Sequence, residues 1–493
     1  MTLFDLLRAS LADRADAFAV NDVTYRDLAR AVLFVAQRLR ERGVGAGDRV
    51  ALYCENRLGF VYTYLAVLRL GAIAVPANVL YRASDLAHVL ADADVALVLV
   101  SEQTAAHLGE LAVPALLAAD EVESWGAYAA SNDRAVVVEP QLPDPDAPAL
   151  IVYTSGTTGR SKGAVLTHNN LATIATQLVT AWRWTAADTL AIALPLFHVH
   201  GLCAGLNGTL AAGARLLLRE RFEARAMLAV LQSPGVTMFF GVPTMYVRFL
   251  ELAEPVDFPA LRLCVSGSAA LSGDVFDRFR MRFGVTILER YGSTEFGFAL
   301  TNRYGGPRIP GSVGIPFAGV RVRIAGSEGE PAAPDEVGEL LVSGPNVCVG
   351  YWRNPAATAA AFFVDDEGTR WYRSGDLASY DADQQVYRIV GRLKDLIISG
   401  GFNVYPLEVE NEIEPYPGVR ACAVVGAPDA ARGESIVAFI EPEPGSTFDP
   451  AALDAWLRER LASFKIPKRF TVIDTLPRNA LGKVEKTKLR ALL

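Results

Sequence analysis

Over the first 300 residues, short apolar runs alternate with longer segments of helical spacing, and that rhythm narrows the possible folds more than any other feature. Arg49-Val-Ala-Leu-Tyr-Cys54, Val95-Ala-Leu-Val-Leu-Val100 and Ala149-Leu-Ile-Val-Tyr153 are apolar on both faces of an extended chain. Such runs suit parallel strands covered by helices on each side, so β/α units are predicted. With 493 residues, 51% of them hydrophobic and 21% charged, the chain can bury more than one core and is neither disordered nor fibrous.

From Gly319 the period changes to two. Val320, Val322 and Ile324 alternate with Arg321 and Arg323, and Gly338-Glu-Leu-Leu-Val-Ser343 follows in the same style, as half-exposed antiparallel strands require. Tyr380-Asp-Ala-Asp-Gln-Gln-Val-Tyr387 reads as a hairpin, and the polar Gly391-Arg-Leu-Lys-Asp395 after it reads as a domain boundary. Beyond it, α+β units are expected, among them a strand at Val419-Arg-Ala-Cys-Ala-Val-Val-Gly426 and an amphipathic helix from Pro450 to Phe464.

Charge and cysteine usage exclude several functions. With 47 basic and 55 acidic residues and a net charge of -8, no overall positive field favours nucleic acid or anionic lipid. The five cysteines form no Cys-x-x-Cys pair, which argues against a zinc site or a disulfide framework. Met1-Thr-Leu-Phe-Asp-Leu-Leu-Arg8 places an acid inside its apolar run, so it reads as an amphipathic helix of a cytoplasmic protein and not as a leader. Thr189 to Ala214 lacks charged residues over a length that could cross a bilayer. Pro195, two histidines, Asn207 and several glycines make a buried strand followed by a buried helix the better reading, with no integral membrane span.

The strongest chemical signal follows the strand at Ala149–Tyr153, where Thr154, Ser155, Gly156, Thr157, Thr158, Gly159, Ser161, Lys162 and Gly163 crowd together. Glycines let backbone N–H groups turn toward an anion, hydroxyls donate further bonds, and the lysine adds positive charge, so the loop suits phosphate. A Walker A loop requires Gly-Lys-Ser/Thr, whereas Lys162 here follows Ser161 and precedes Gly163. Gly159-Arg-Ser-Lys-Gly163 also matches the Gly-x-Ser-x-Gly pattern of hydrolase nucleophiles, which would make Ser161 the nucleophile of an elbow set directly between strand and helix.

Further blocks follow in order: Pro195-Leu-Phe-His-Val-His-Gly201, Gly241-Val-Pro-Thr-Met245, Ser266-Gly-Ser-Ala-Ala-Leu271, Tyr291-Gly-Ser-Thr-Glu295, Tyr372-Arg-Ser-Gly-Asp376, Gly391-Arg-Leu-Lys-Asp395, Gly400-Gly-Phe-Asn-Val-Tyr-Pro406 and Pro477-Arg-Asn-Ala-Leu-Gly-Lys483. Together with the loop, this set resembles the acyl-adenylate-forming superfamily of acyl-CoA synthetases, luciferases and peptide-synthetase adenylation domains, across nearly the whole chain. The resemblance implies an α/β fold: a large N-terminal domain of β/α sheets over residues 1–391, including a small β-barrel-like subdomain from about 319 to 391, a hinge at 392–395, and a small mobile C-terminal α+β domain over 396–493. It also implies an ATP-dependent ligase that forms an acyl-adenylate and then a coenzyme A thioester, with Mg²⁺ neutralising the leaving pyrophosphate.

Carried over by resemblance, Thr154, Ser155, Gly156, Thr157, Thr158, Gly159 and Lys162 face the phosphates. Glu295 holds Mg²⁺ with Thr157, and Thr294 touches the AMP phosphate. Ser266, Gly267, Ser268 and Ala269 match the segment lining the adenine pocket, Tyr291 and Gly292 also bind ATP, Asp376 binds the ribose with help from Arg392, and Lys483 enters the site for adenylation. Lys394 occupies the hinge, Gly400, Gly401 and Phe402 border the pantetheine path, and His198 borders the acyl site.

For the acid, the informative residues are Arg248 in Pro243-Thr-Met-Tyr-Val-Arg248 and Arg290 in Leu288-Glu-Arg-Tyr-Gly-Ser-Thr-Glu295. A guanidinium opposes an apolar tail but binds a second carboxylate in a charge-assisted fork. Arg290 resembles the malonyl-CoA synthetases of the superfamily, although Ser293 stands where methionine is expected in that group. Malonate, with methylmalonate beside it, is therefore the expected acid. The alternatives are a fatty or aromatic acid, a serine hydrolase using Ser161, and a nucleotide-binding scaffold without turnover.

Overall fold

The computed structural model describes all residues except 110, 112, 133–140, 155–159, 255, 327–329, 430–431, 447 and 480–481. The apolar runs become strands of two large sheets. One orders Ile315–Pro316, Leu300–Thr301, Ile287–Tyr291, Leu263–Ser266, Met238–Gly241, Thr189–Ile192, Arg215–Leu218, Phe18–Val20 and Val23–Thr24. The other orders Gly350–Tyr351, Lys162–Thr167, Pro148–Thr154, Ile73–Pro76, Arg49–Tyr53, Leu97–Val100 and Leu116–Ala118. Most neighbours run parallel, as runs apolar on both faces demand, but Pro148–Thr154 and Lys162–Thr167 pair antiparallel.

This topology gathers the motif blocks. Thr189–Ile192, Met238–Gly241, Leu263–Ser266 and Ile287–Tyr291 lie side by side and parallel, so their carboxyl ends deliver Pro195–Gly201, Gly241–Met245, Ser266–Leu271 and Tyr291–Glu295 to one edge. Ligands of open α/β sheets bind at that edge. Beneath it the core is aromatic: Trp182 and Phe240 are fully buried with ring centres 5.2 Å apart, each side chain contributing about 1.5–3 kcal/mol by burial.

The uncharged stretch after Thr189 forms the expected buried strand, and its helix is a π-helix, His200–Asn207, every residue of which is buried. No helix among the described residues is long and apolar enough to cross a membrane. Near the N-terminus, Leu3–Asp13 is the expected amphipathic helix, with Leu3 and Leu7 buried and Thr2 and Asp5 forming a reciprocal cap.

A third, antiparallel sheet joins Arg321–Ala325, Gly338–Ser343, Arg370–Asp381 and Phe362–Val364, with Val386–Arg392 pairing to the long strand across the expected hairpin. The small C-terminal domain is built on Val419–Asp429 and Gly433–Pro442, flanked by Phe402–Val404, Ile397–Ser399 and Arg469–Val472. Val409, Ile413, Leu453 and Leu457 pack its two main helices onto Val424, Ile436 and Ala438. One expectation is corrected here: the helix predicted to run to Phe464 stops at Arg458. Phe464 is drawn instead into a stack on Phe402, with ring centres 4.5 Å apart.

Candidate active site

The phosphate-loop stems are a hairpin in which Thr154 lies opposite Lys162 and donates its hydroxyl to the Lys162 carbonyl at 3.4 Å. Ser155, Gly156, Thr157, Thr158 and Gly159 lie outside the described residues. The chain leaves this loop into a strand and not a helix, so Ser161 does not occupy a nucleophile elbow and the hydrolase alternative fails on geometry. The Lys162 ammonium stands 5.5 Å from the centre of the Tyr351 ring. Tyr351 Oη donates to Glu295 Oε1 at 3.0 Å and Ser293 Oγ donates to Glu295 Oε2 at 2.9 Å, so both carboxylate oxygens of this buried acid are oriented. Thr294 is buried beside it. One fixed carboxylate, completed by phosphate oxygens and water, is the donor set that Mg²⁺ favours over a dedicated protein cage. No cluster of three or more His, Cys, Asp or Glu that could hold a metal ion occurs among the described residues.

A second group gathers around Asp376. Tyr291 Oη donates to Asp376 Oδ2 at 2.6 Å, and Arg392, directly opposite in the antiparallel pair, places Nε 3.0 Å from Oδ1. Tyr291 ends its strand, with Gly292 next along the chain, which links this group to Glu295. From the small domain, Lys483 comes to the same place. The residue as a whole is exposed, yet crowding around the ammonium, with Arg392 adding repulsion and Asp376 opposing it, lowers its pKa to about 8. Next to it, a Cβ added to Gly482 would stand 2.8 Å from the Thr244 hydroxyl, so this terminal segment is seated against the Gly241–Met245 block. Arg420 of the small domain reaches Glu251 of the large one at 3.6 Å. Lys394 lies in the short 3-10 turn Leu393–Asp395 between the domains. Gly400 and Gly401, with φ of 60° and 83°, make the hairpin turn that leaves Phe402 exposed.

A third group surrounds Arg290. The guanidinium is buried, with its centre 4.6 Å from the Phe298 ring. Its Nη2 approaches Ser268 Oγ at 3.4 Å, and Nε has no hydrogen-bond partner. It forms no ion pair with a described carboxylate: Glu289 points to the other face of the strand, where it accepts from the Gly311 N–H at 3.0 Å. Burial raises Glu289 to about 8 and lowers the Arg290 guanidinium, which nonetheless stays charged at neutral pH. Gly267 is required here for close approach, because a Cβ would meet the guanidinium carbon at 2.5 Å. Ser268 adopts a left-handed φ of 70°, followed by Ala269.

His198 and His200 face the same charge. His198 is lowered to about 4 by burial and by Arg290, and His200 is lowered further by burial, Arg290 and His198, so both are neutral imidazoles. His200 lies within hydrogen-bond range of Ser268 Oγ through Nδ1 at 3.3 Å, and its buried Nε2 has no partner. Arg248 is not brought to this cluster. It stands exposed on the helix Pro243–Glu251, whose Met245, Tyr246 and Phe249 are buried.

The description AMP-binding enzyme matches residues 7–352, and AMP-binding enzyme C-terminal domain matches residues 408–483. The chain belongs to the AMP-binding enzyme family. A feruloyl-CoA synthase of Amycolatopsis sp is 39% identical, the alignment covering 95% of this chain and 93% of that one. A mitochondrial malonate–CoA ligase of Mus musculus is 35% identical over 94% and 86%, and a sulfoacetate–CoA ligase of Cupriavidus necator is 35% identical over 99% and 98%. Among solved structures, ATP-bound MatB from Rhodopseudomonas palustris superposes with a TM-score of 0.91 at 35% identity, covering 100% of this chain and 99% of that one.

As an AMP-binding enzyme of the CoA-ligase branch, the chain is an ATP-dependent acid–CoA ligase whose substrates are a carboxylic acid, ATP and CoA, with Mg²⁺ as the usual ion. Three residues of the candidate site escape a reading of the motifs: His200, Tyr351 and Ser293 in its role beside Glu295. His200 is visible as the second histidine of Phe197-His-Val-His200, but only its burial and the Ser268 hydroxyl single it out. The pairing of Tyr351 with a carboxylate 56 residues away carries no local signal.

Proposed function

We propose that this ligase activates a small acid carrying a second anionic group, malonate first and methylmalonate beside it, and transfers it to CoA. The observation that carries the reading is the buried Arg290 guanidinium with no carboxylate partner among the described residues. An uncompensated buried charge costs several kcal/mol, a cost that an anionic substrate offsets. Within the described residues, Ser268 Oγ at 3.4 Å is the guanidinium's one hydrogen-bond contact and its buried Nε has none, so the charge is not offset from within the protein. The malonate and sulfoacetate ligases among the relatives, each named for an acid with a second anionic group, support it.

In the first step the acid's free carboxylate oxygen attacks the α-phosphorus of ATP and the bond to pyrophosphate breaks. Lys162, Thr154 and Thr157 hold the leaving group, Thr294 the α-phosphate, and Lys483 the oxygens between which charge passes. Glu295 with Thr157 would hold Mg²⁺, which when bound would supply neutralisation of charge on the leaving pyrophosphate. Asp376 and Arg392 take the ribose hydroxyls, while Gly267, Ser268, Ala269, Tyr291 and Gly292 border the adenine. The small domain, residues 396–493, then turns about 392–395 at Lys394. Gly400, Gly401 and Phe402 thereby approach the pantetheine path, and the CoA sulfur displaces AMP. His198 borders the acyl group. The buried, unbridged cysteines accord with a reducing, cytoplasmic setting.

A second reading, an aromatic acid, is favoured by the feruloyl-CoA synthase relative and by the Phe240 and Phe298 rings flanking His200. An equimolar mixture of malonate, methylmalonate, sulfoacetate, ferulate and hexanoate, given with ATP, Mg²⁺ and limiting CoA, separates the two. Mass spectrometry is expected to find malonyl-CoA or methylmalonyl-CoA dominant; feruloyl-CoA dominant establishes the second reading.

A further inference from the structure

The helix Ala83–Ala93 holds the phosphate-loop hairpin through two side chains, His88 and Asp92, neither of which belongs to the loop motif. His88 Nε2 lies 2.8 Å from the Ser161 carbonyl oxygen. A carbonyl only accepts, so Nε2 carries the hydrogen and donates whether the ring is neutral or charged. The same ring stands edge-on to Tyr153, at 6.0 Å and 82°. One turn along the same helical face, Asp92 Oδ2 accepts the Tyr153 hydroxyl at 2.6 Å. Tyr153 sits at the end of the outgoing stem, and Ser161 immediately precedes the returning stem Lys162–Thr167. The two side chains thus fix the hairpin where the loop leaves and where it returns.

We propose that His88 is a positioning residue for ATP, its bond to the Ser161 carbonyl setting the direction in which Lys162 presents its ammonium. A single peptide unit separates the two residues. With its carbonyl anchored, that unit cannot rotate freely, and the lysine is held over Tyr351 next to Glu295. Without the anchor, Lys162 keeps its charge but loses its aim. The inference rests on the reading of Lys162 as a phosphate ligand.

The test measures ATP-dependent adenylation, thioester formation from preformed acyl-adenylate, and Tm for the full chain and three variants. His88→Phe keeps the ring on Tyr153 and removes the donor; it is expected to raise KM for ATP about 5- to 10-fold, as loss of one hydrogen bond gives. KM for the acid and the thioester step stay unchanged, and His88→Gln, whose amide reaches the same carbonyl, restores most of the ATP affinity. His88→Phe with unchanged KM for ATP, or with ATP, acid and thioester steps weakened alike, overturns the role. Lys162→Met separates the two layers: unchanged KM for ATP in that variant removes the loop reading itself, whereas a raised KM there beside a normal His88→Phe removes only the role of His88.

Discussion

Lys483→Ala is expected to slow acyl-adenylate formation about 10²- to 10³-fold, the effect of deleting one preorganised group aimed at developing charge, while thioester formation from preformed acyl-adenylate stays near the wild-type rate. The split follows from position. Lys483 of the small domain reaches the Asp376 and Arg392 group while its neighbour Gly482 is seated against Thr244, a contact made across the two domains. Pre-steady-state assays of each half-reaction check it, and equal loss in both counts against the assignment. The pKa adds a second signature. A lysine lowered to about 8 by crowding and by Arg392 is protonated below that pH and loses its charge above it. Adenylation kcat/KM, which reports the free enzyme, is therefore expected to decline as pH rises through about 8. Lys483→Arg, always charged, abolishes that alkaline limb even where it lowers the rate.

Arg290→Ala is expected to cost the malonate reaction about 2 to 5 kcal/mol in kcat/KM, the range for removing one partner of a buried charge pair. That is roughly 30-fold to several thousandfold, with a smaller change in KM for ATP, because Arg290 touches Gly267 and Ser268 but no phosphate ligand. Arg290→Lys does not rescue fully, since an ammonium lacks the planar fork and loses its stacking on Phe298. Steady-state kinetics with malonate and with ATP as the varied substrate check both. An unchanged malonate rate in Arg290→Ala removes the guanidinium from acid recognition.

Much of this arrangement is legible in the residues themselves. Strands such as Arg49–Tyr53 and Leu97–Val100 announce themselves because both of their faces are buried, and the hydroxyl- and glycine-rich stretch after Tyr153 announces an anion cradle. Glu295, Asp376 and Lys483 are legible only through resemblance, because their meaning arises from folding distant segments together. What is not legible depends on packing. Choosing between His198 and His200 needs their burial and the Ser268 hydroxyl, and nothing local distinguishes two histidines two positions apart. Arg248 and Arg290 read alike in sequence, yet the strand buries one and the helix exposes the other. Phe464 leaves its predicted helix for a partner more than sixty residues away, a tertiary contact that helical propensity does not anticipate. The brace from His88 to Ser161 spans 73 residues and gives no motif at all.

On the proposed reading, a second negative charge on the acid is recognised at Arg290. The most direct measurement compares kcat/KM of the wild-type ligase for malonate with that for 3-methylbutanoate, which matches malonate in outline but replaces the distal carboxylate by an uncharged branch. A preference for malonate of about 10²-fold or more is predicted, since burying an unpaired charge against an apolar group costs several kcal/mol. Equal turnover of the two acids, or preference for 3-methylbutanoate, would contradict it.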